Sequence, residues 1–119
     1  MTVFLCRLLP PRPSFALDMS AEEAALMGRH AAHWQAAADA GRVVVFGPVL
    51  DPKGPWGLGL YEADGAEDAA AFLDQDPTIL AGVGFSYEIL PMMTASFGRR
   101  HGEPVTTGED AAAPQSNGH

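Results

Sequence analysis

Val43-Val44-Val45-Phe46, closed by Gly47-Pro48, and Trp56-Gly57-Leu58-Gly59-Leu60-Tyr61-Glu62 are separated by the turn-forming run Asp51-Pro52-Lys53-Gly54-Pro55. The first segment is short and β-branched, which predicts a fully buried strand. The second sets large side chains at 56, 58 and 60 against Gly57, Gly59 and Tyr61, which predicts a strand with one bulky face and one bare face. Proline fixes φ and glycine supplies positive φ in the run between them, so it is a turn. The bare face leaves room for a ligand, a helix or a neighbouring backbone. Two strands therefore follow each other without an intervening helix, and the flanking segments decide the topology.

Upstream, Val3 to Leu9 is an apolar, strand-like run stopped by Pro10-Pro11-Arg12-Pro13, which opens an extended loop. Ser20-Ala21-Glu22-Glu23 is a capping box, with the Ser20 hydroxyl accepting from the Glu23 amide and the Glu23 carboxylate reaching back. A helix is expected from Ala21 to near Gly41, where a left-handed residue costs glycine little. Downstream, Ala66 to Asp74 predicts a second helix, and Asp76-Pro77 a short helical turn with Asp76 at the N-cap. Phe85 to Leu90 alternates and ends at Pro91, as a last strand does.

The order strand, helix, strand, strand, helix, strand is a split pair of βαβ units: an α+β, ferredoxin-like βαββαβ fold, with helices on one face of an antiparallel sheet. The other sheet face needs cover, and a homodimer is the expected solution, with Trp56, Leu58, Phe85, Met92 and Met93 as candidate contributors. One domain is expected over residues 1–100. From Glu103 onward there is no aromatic residue, and 101–119 is expected to be a disordered tail.

At 119 residues and 47% hydrophobic content the chain supports a single core. A formal charge of −8 with only seven basic residues, Arg99-Arg100 the sole pair, argues against a nucleic-acid partner. A small anionic substrate remains compatible, because one arginine can hold one carboxylate. The single cysteine, Cys6, has no internal disulfide partner and suits a reducing compartment. The apolar start, Val3 to Pro10, is far shorter than the roughly 20 residues of a membrane span, and it lacks the pattern of a signal peptide. The cytoplasm is expected, with no membrane partner.

Chemistry centres on His30. Leu26, Met27, His30, Ala31, Trp34, Ala37 and Ala38 form one helical stripe, and an imidazole stands in it where an aliphatic side chain is expected. A buried ring needs partners for both nitrogens. Asp76 is the candidate partner; by itself it reads first as an N-cap, and both roles are compatible because one carboxylate oxygen can cap while the other meets an imidazole. Histidine's ordinary pKa of about 6.5 suits a general acid or base, and the bland reading is a core histidine satisfied by a carbonyl or water. His30 and His33 also form His-x-x-His, but no third ligand has diagnostic spacing, so neither a metal nor a cofactor is expected. Arg7 and the Ser86 hydroxyl are candidates to bind substrate, and Gly47-Pro48 to shape a pocket floor. Tyr61 and Tyr87 also offer hydroxyls that can orient a substrate, against the commoner reading of each as an ordinary sheet residue, and Cys6 reads as a small buried hydrophobe.

Arg29-His30, the step from His30 to Gly41, Val45-Phe46-Gly47-Pro48, Asp76-Pro77 with Ala81-Gly82, and Tyr87-Glu88-Ile89-Leu90-Pro91 resemble the YciI-like proteins, the YCII-related domain family. The resemblance spans Thr2 to Met93. It implies a dimeric α+β barrel and a His–Asp pair in a cleft, which maps onto His30 and Asp76 as catalytic residues. One family member is a dehydrochlorinase of a chlorinated aromatic diol, and muconolactone isomerases share the wider fold. A cofactor-free isomerase or lyase is therefore expected, with a non-catalytic ligand-binding or interaction module as the alternative. Two departures stand out. Met27 occupies the place where short members often carry arginine, with Arg29 beside the histidine instead, and the loop from Pro11 to Met19 is longer than in the shortest members, long enough either to form a lid or simply to cross the surface.

Overall fold

Alternation of buried and half-buried residues along Thr2–Leu9 (β1) places Phe4, Cys6 and Leu8 on the core face of the sheet. The computed structural model describes residues 1–98. After β1 come α1 (Phe15–Asp18), α2 (Ala21–Asp39), β2 (Val43–Val49), β3 (Trp56–Ala63), α3 (Ala66–Asp74), α4 (Pro77–Leu80) and β4 (Ser86–Pro91). The sheet order is β2-β3-β1-β4, with every neighbouring pair antiparallel. This is the expected ferredoxin-like α+β arrangement. The expected tail, 101–119, and the last two residues of the expected domain lie outside the described residues.

The helix boundaries follow from local chemistry. Ser20 N–H donates to Glu23 Oε1 at 2.9 Å while the Glu23 amide donates to Ser20 Oγ at 3.1 Å, closing the capping box at the start of α2. At its end Gly41 takes φ +82°, its N–H reaches the Ala38 carbonyl and the Arg42 N–H reaches Ala37. That is a Schellman motif, which satisfies carbonyls the helix leaves open. Leu26, Trp34 and Ala37 are buried and Met27, His30 and Ala38 half-buried, as the stripe requires, while Ala31 is exposed.

Two expectations about strands need correction. β2 is an edge strand, not a fully buried one: Val44 and Val45 are 40% and 50% exposed, and the strand runs on through Gly47-Pro48 to Val49. An edge position tolerates the missing proline N–H, and the register shift between Val43 and Val45 marks a bulge, a common edge device. Phe85 precedes β4 and packs edge-on against Phe15, with ring centroids 5.1 Å apart, so it serves the helix side of the sheet and not the open face.

The bare face of β3 receives a helix. A Cβ at Gly59 would stand 2.2 Å from the Trp34 ring, so only glycine lets α2 seat that indole on the sheet. Around Trp34 gather Phe46, Tyr61 and Phe72; the Trp34 and Phe72 rings meet edge-on at 4.9 Å and Tyr61 stacks on Phe72 at 4.2 Å. Cys6 is fully buried in the same core, which pushes its thiol up to about 12 and keeps it a packing group.

The segment from Pro10 to Met19 is not wholly extended, because it contains α1. Arg12 staples it, donating to Asp18 Oδ1 at 2.9 Å and to both Glu23 carboxylate oxygens at 2.9 and 2.8 Å. Pro13 and Pro11 rest against Gly54 and Gly84, where an added Cβ would meet Pro13 O at 2.8 Å and Pro11 Cβ at 2.9 Å. Both glycines also hold positive φ, +130° and +105°.

Candidate active site

Asp76 is the organising group of the site. It is fully buried, and it is the N-cap of α4, with Pro77 at the first helical position. Its Oδ1 accepts from the Thr78 amide at 3.0 Å and the Thr78 hydroxyl at 2.9 Å. Its Oδ2 accepts from Tyr87 OH at 2.5 Å and from Trp34 Nε1 at 3.3 Å, and lies 2.8 Å from His30 Nδ1. Capping and imidazole pairing thus use different oxygens of one carboxylate. Burial pushes the Asp76 pKa up, but the donors from His30, Tyr87 and Thr78 outweigh it and hold the group at about 2. Asp76 is therefore an anion, and His30 Nδ1 must be the protonated nitrogen that donates to it.

This sets the tautomer. In the neutral ring, a proton on Nδ1 leaves Nε2 as a lone-pair acceptor, and Nε2 has no hydrogen-bond partner among the described residues. The ring also lines a cavity of about 340 Å3 between α2, the sheet and the Pro10–Met19 segment. Its walls are apolar, formed by residues including Leu8, Phe15, Met27, Trp34, Phe46 and Phe85. The size lies in the range of small-molecule sites.

The remaining polar groups at the site have prior commitments. Tyr87 OH donates to Asp76 and accepts from Trp34 Nε1 at 2.9 Å. Burial, its hydrogen bond to Asp76 and that carboxylate's charge push the phenol's pKa well up, so it stays a neutral donor. Trp56, bordering the cavity, gives its Nε1 to Asp51 Oδ2 at 2.9 Å.

The other predicted site residues divide into two groups. Gly47 and Pro48 border the cavity with His30. Arg7 and Ser86 do not: Arg7 pairs with Glu88 at 3.0 Å and lies over the Trp56 ring at 4.3 Å, while Ser86 is exposed opposite Leu9. The reason is strand parity, since Cys6 and Leu8 face the helices and the residues between them face away. Arg29 is exposed and does not border the cavity. His33 gives Nε2–H to the Phe72 carbonyl at 2.9 Å and stacks on the Phe72 ring, and among the described residues no three His, Cys, Asp or Glu side chains converge as metal ligands.

Thr78 and Trp34 were missed as parts of the site, and Tyr87 was weighed only as a substrate-orienting hydroxyl, not as a donor to Asp76. Thr78 stands two residues after an Asp-Pro cap, a position whose amide an N-cap aspartate commonly takes. Nothing in the spacing links Tyr87 or Trp34 to Asp76.

Fold and site together define an α+β protein with an apolar cavity and an Asp-oriented histidine at its wall. The family model of the YCII-related domain matches residues 3–93, and the chain belongs to that family. A comparison with curated proteins returned no match. Among the described residues no helix is long and apolar enough to cross a membrane.

Proposed function

We propose that this chain is an enzyme of proton transfer, a cofactor-free isomerase or lyase acting on a small molecule, with His30 as the acid–base group and Asp76 as its positioning partner. One observation carries the reading: His30 Nδ1 is tied to a buried, ionised carboxylate while the ring lines an apolar cavity. Nε2 takes a proton from a substrate carbon, and the C–H electron pair stays on the substrate. In an isomerisation it becomes part of a conjugated system and His30 returns the proton at another carbon. In an elimination the pair forms a new π bond while a leaving group departs with its bonding electrons, and His30 later releases the proton to water. Asp76 stabilises the imidazolium in either case, and no step needs an oxidant or reductant.

A homodimer belongs to the same reading. Leu5, Val45, Leu58, Leu60 and Leu90 fall by register on the sheet face away from the helices, and Val45 and Leu90 are 50% and 59% exposed. A second copy would cover that face and close the dimeric barrel. A cytoplasmic setting is part of the proposal, supported by the free, buried Cys6.

Proton abstraction can be read without the natural substrate, by deuterium uptake from solvent at the α-carbons of 2-tetralone, an uncharged bicyclic ketone. The protein is expected to speed uptake over buffer, and His30→Ala to cost about a hundredfold or more of that acceleration. In parallel the His30 ring resonances should move as 2-tetralone is added. No acceleration together with a ring that 2-tetralone leaves unmoved would sink the reading. It would favour instead a non-catalytic ligand-binding module, to which one observation already lends weight: Tyr87 and Trp34 are spent on Asp76, leaving a single proton-transfer group.

A further inference from the structure

Polar capacity in the cavity is concentrated at one atom. Among the described residues bordering it, Tyr87 OH, Trp34 Nε1 and Trp56 Nε1 all have internal partners, and the imidazole is the one side chain with an unspent polar nitrogen or oxygen. Among the described residues no lysine or arginine borders the space. Arg7 lies on the opposite face of the sheet, paired with Glu88, and Arg12, bound by Asp18 and Glu23, does not border the cavity. A substrate carboxylate entering here would lose its water, find no fixed cation, and sit near the buried negative charge of Asp76. A neutral molecule with an acidic hydrogen has none of these costs. It can donate to Nε2, and any negative charge that develops on it is met by an imidazolium formed in the same step.

We propose that the cavity selects an uncharged weak acid, an apolar molecule that presents one acidic O–H or C–H to His30 Nε2, and that it rejects carboxylates of the same shape. The inference rests on the acid–base reading of His30 and adds the substrate class to it. The aromatic walls, Phe15, Trp34, Phe46 and Phe85, suit a flat ring system. Met27 borders the cavity three residues before His30 on the same helix face, so its identity keeps the wall beside the base free of positive charge.

The test is calorimetric titration of the full chain with 2-naphthol and with 2-naphthoate near neutral pH, where the first is uncharged and the second ionised, while the His30 ring is followed by NMR. The naphthol is expected to bind tighter by about tenfold or more and to move the His30 resonances. Met27→Arg should erase or reverse the preference by supplying the missing cation. Equal or tighter binding of naphthoate by the unaltered protein overturns the proposal, as does binding of neither probe. An unchanged preference in Met27→Arg overturns its electrostatic basis. If naphthoate wins and still shifts the His30 ring, the specificity proposal alone falls and the proton-transfer reading stands. If naphthol wins while the ring is unmoved, both fall.

Discussion

Asp76 shows how much one carboxylate can do when every lone pair has a donor. Two donors from Thr78 fix its helix-capping oxygen, and His30, Tyr87 and Trp34 converge on the other. Because its pKa is held at about 2, below the ordinary aspartate value, its stabilising contribution is complete above the unfolded-state pKa and is lost as pH falls from about 4 through about 2. The contribution is on the order of 2 kcal/mol. Acid denaturation followed by circular dichroism should show that step in the natural sequence. Asp76→Asn should flatten it, and should cost roughly 2–4 kcal/mol near neutrality by removing the charged acceptor from buried donors. The same variant should let His30 release its Nδ1 proton preference, which ring nitrogen shifts would report. If Asp76→Asn keeps both the acid step and the tautomer, the carboxylate is not the organising group. His30 and the Asp76 cap were legible in the sequence because stripe spacing and Asp-Pro chemistry are local. Arg7 and Ser86 were misplaced because a strand residue's face is fixed only once its neighbours are known.

At the scale of elements, two close approaches position the site. Gly59 admits the Trp34 ring to the sheet, and Trp34 in turn donates to Tyr87 and Asp76. Gly59→Ala would force a rigid indole and two backbones apart, with an expected loss of about 1–3 kcal/mol. Chemical denaturation would measure that loss, and the indole Nε1–H resonance of Trp34 should move with it. The Pro10–Met19 strap is held differently, by Arg12 and by proline seats at Gly54 and Gly84. Arg12→Ala should leave the sheet intact but speed amide exchange across Phe15–Asp18, and high salt should do the same in the natural sequence because these carboxylates are partly open to solvent. Unchanged exchange in both cases would show that the proline seats alone hold α1. The capping box, the Asp76 cap and the Gly41 stop were readable because each is a local pattern of a few residues. α1 was not, since its four residues carry no periodicity and depend on Arg12 reaching Glu23, eleven positions away.

For the whole molecule, the open sheet face is the main consequence of the topology. Helices occupy one side only, leaving Leu58 and Leu60 of β3 between Leu5 and Val45 on the other. The proposed dimer predicts that Leu60→Glu shifts the protein to a monomer in sedimentation velocity experiments, while amide exchange in β1 and β3 retains a folded sheet. A monomeric natural sequence at micromolar concentrations would remove the dimer from the reading.

The sequence by itself determined the class of fold, because the order of strands and helices follows from local periodicity and turn chemistry, and only a few topologies accept that order. It also supplied His30 with Asp76 as its candidate partner. Tertiary structure alone decided that β2 lies at an edge, that the bare face of β3 takes an indole, and that Trp34, Tyr87 and Thr78 join His30 on one carboxylate. These are relations between residues up to 53 positions apart. No local pattern encodes them, because they arise from which faces pack together once the chain has folded.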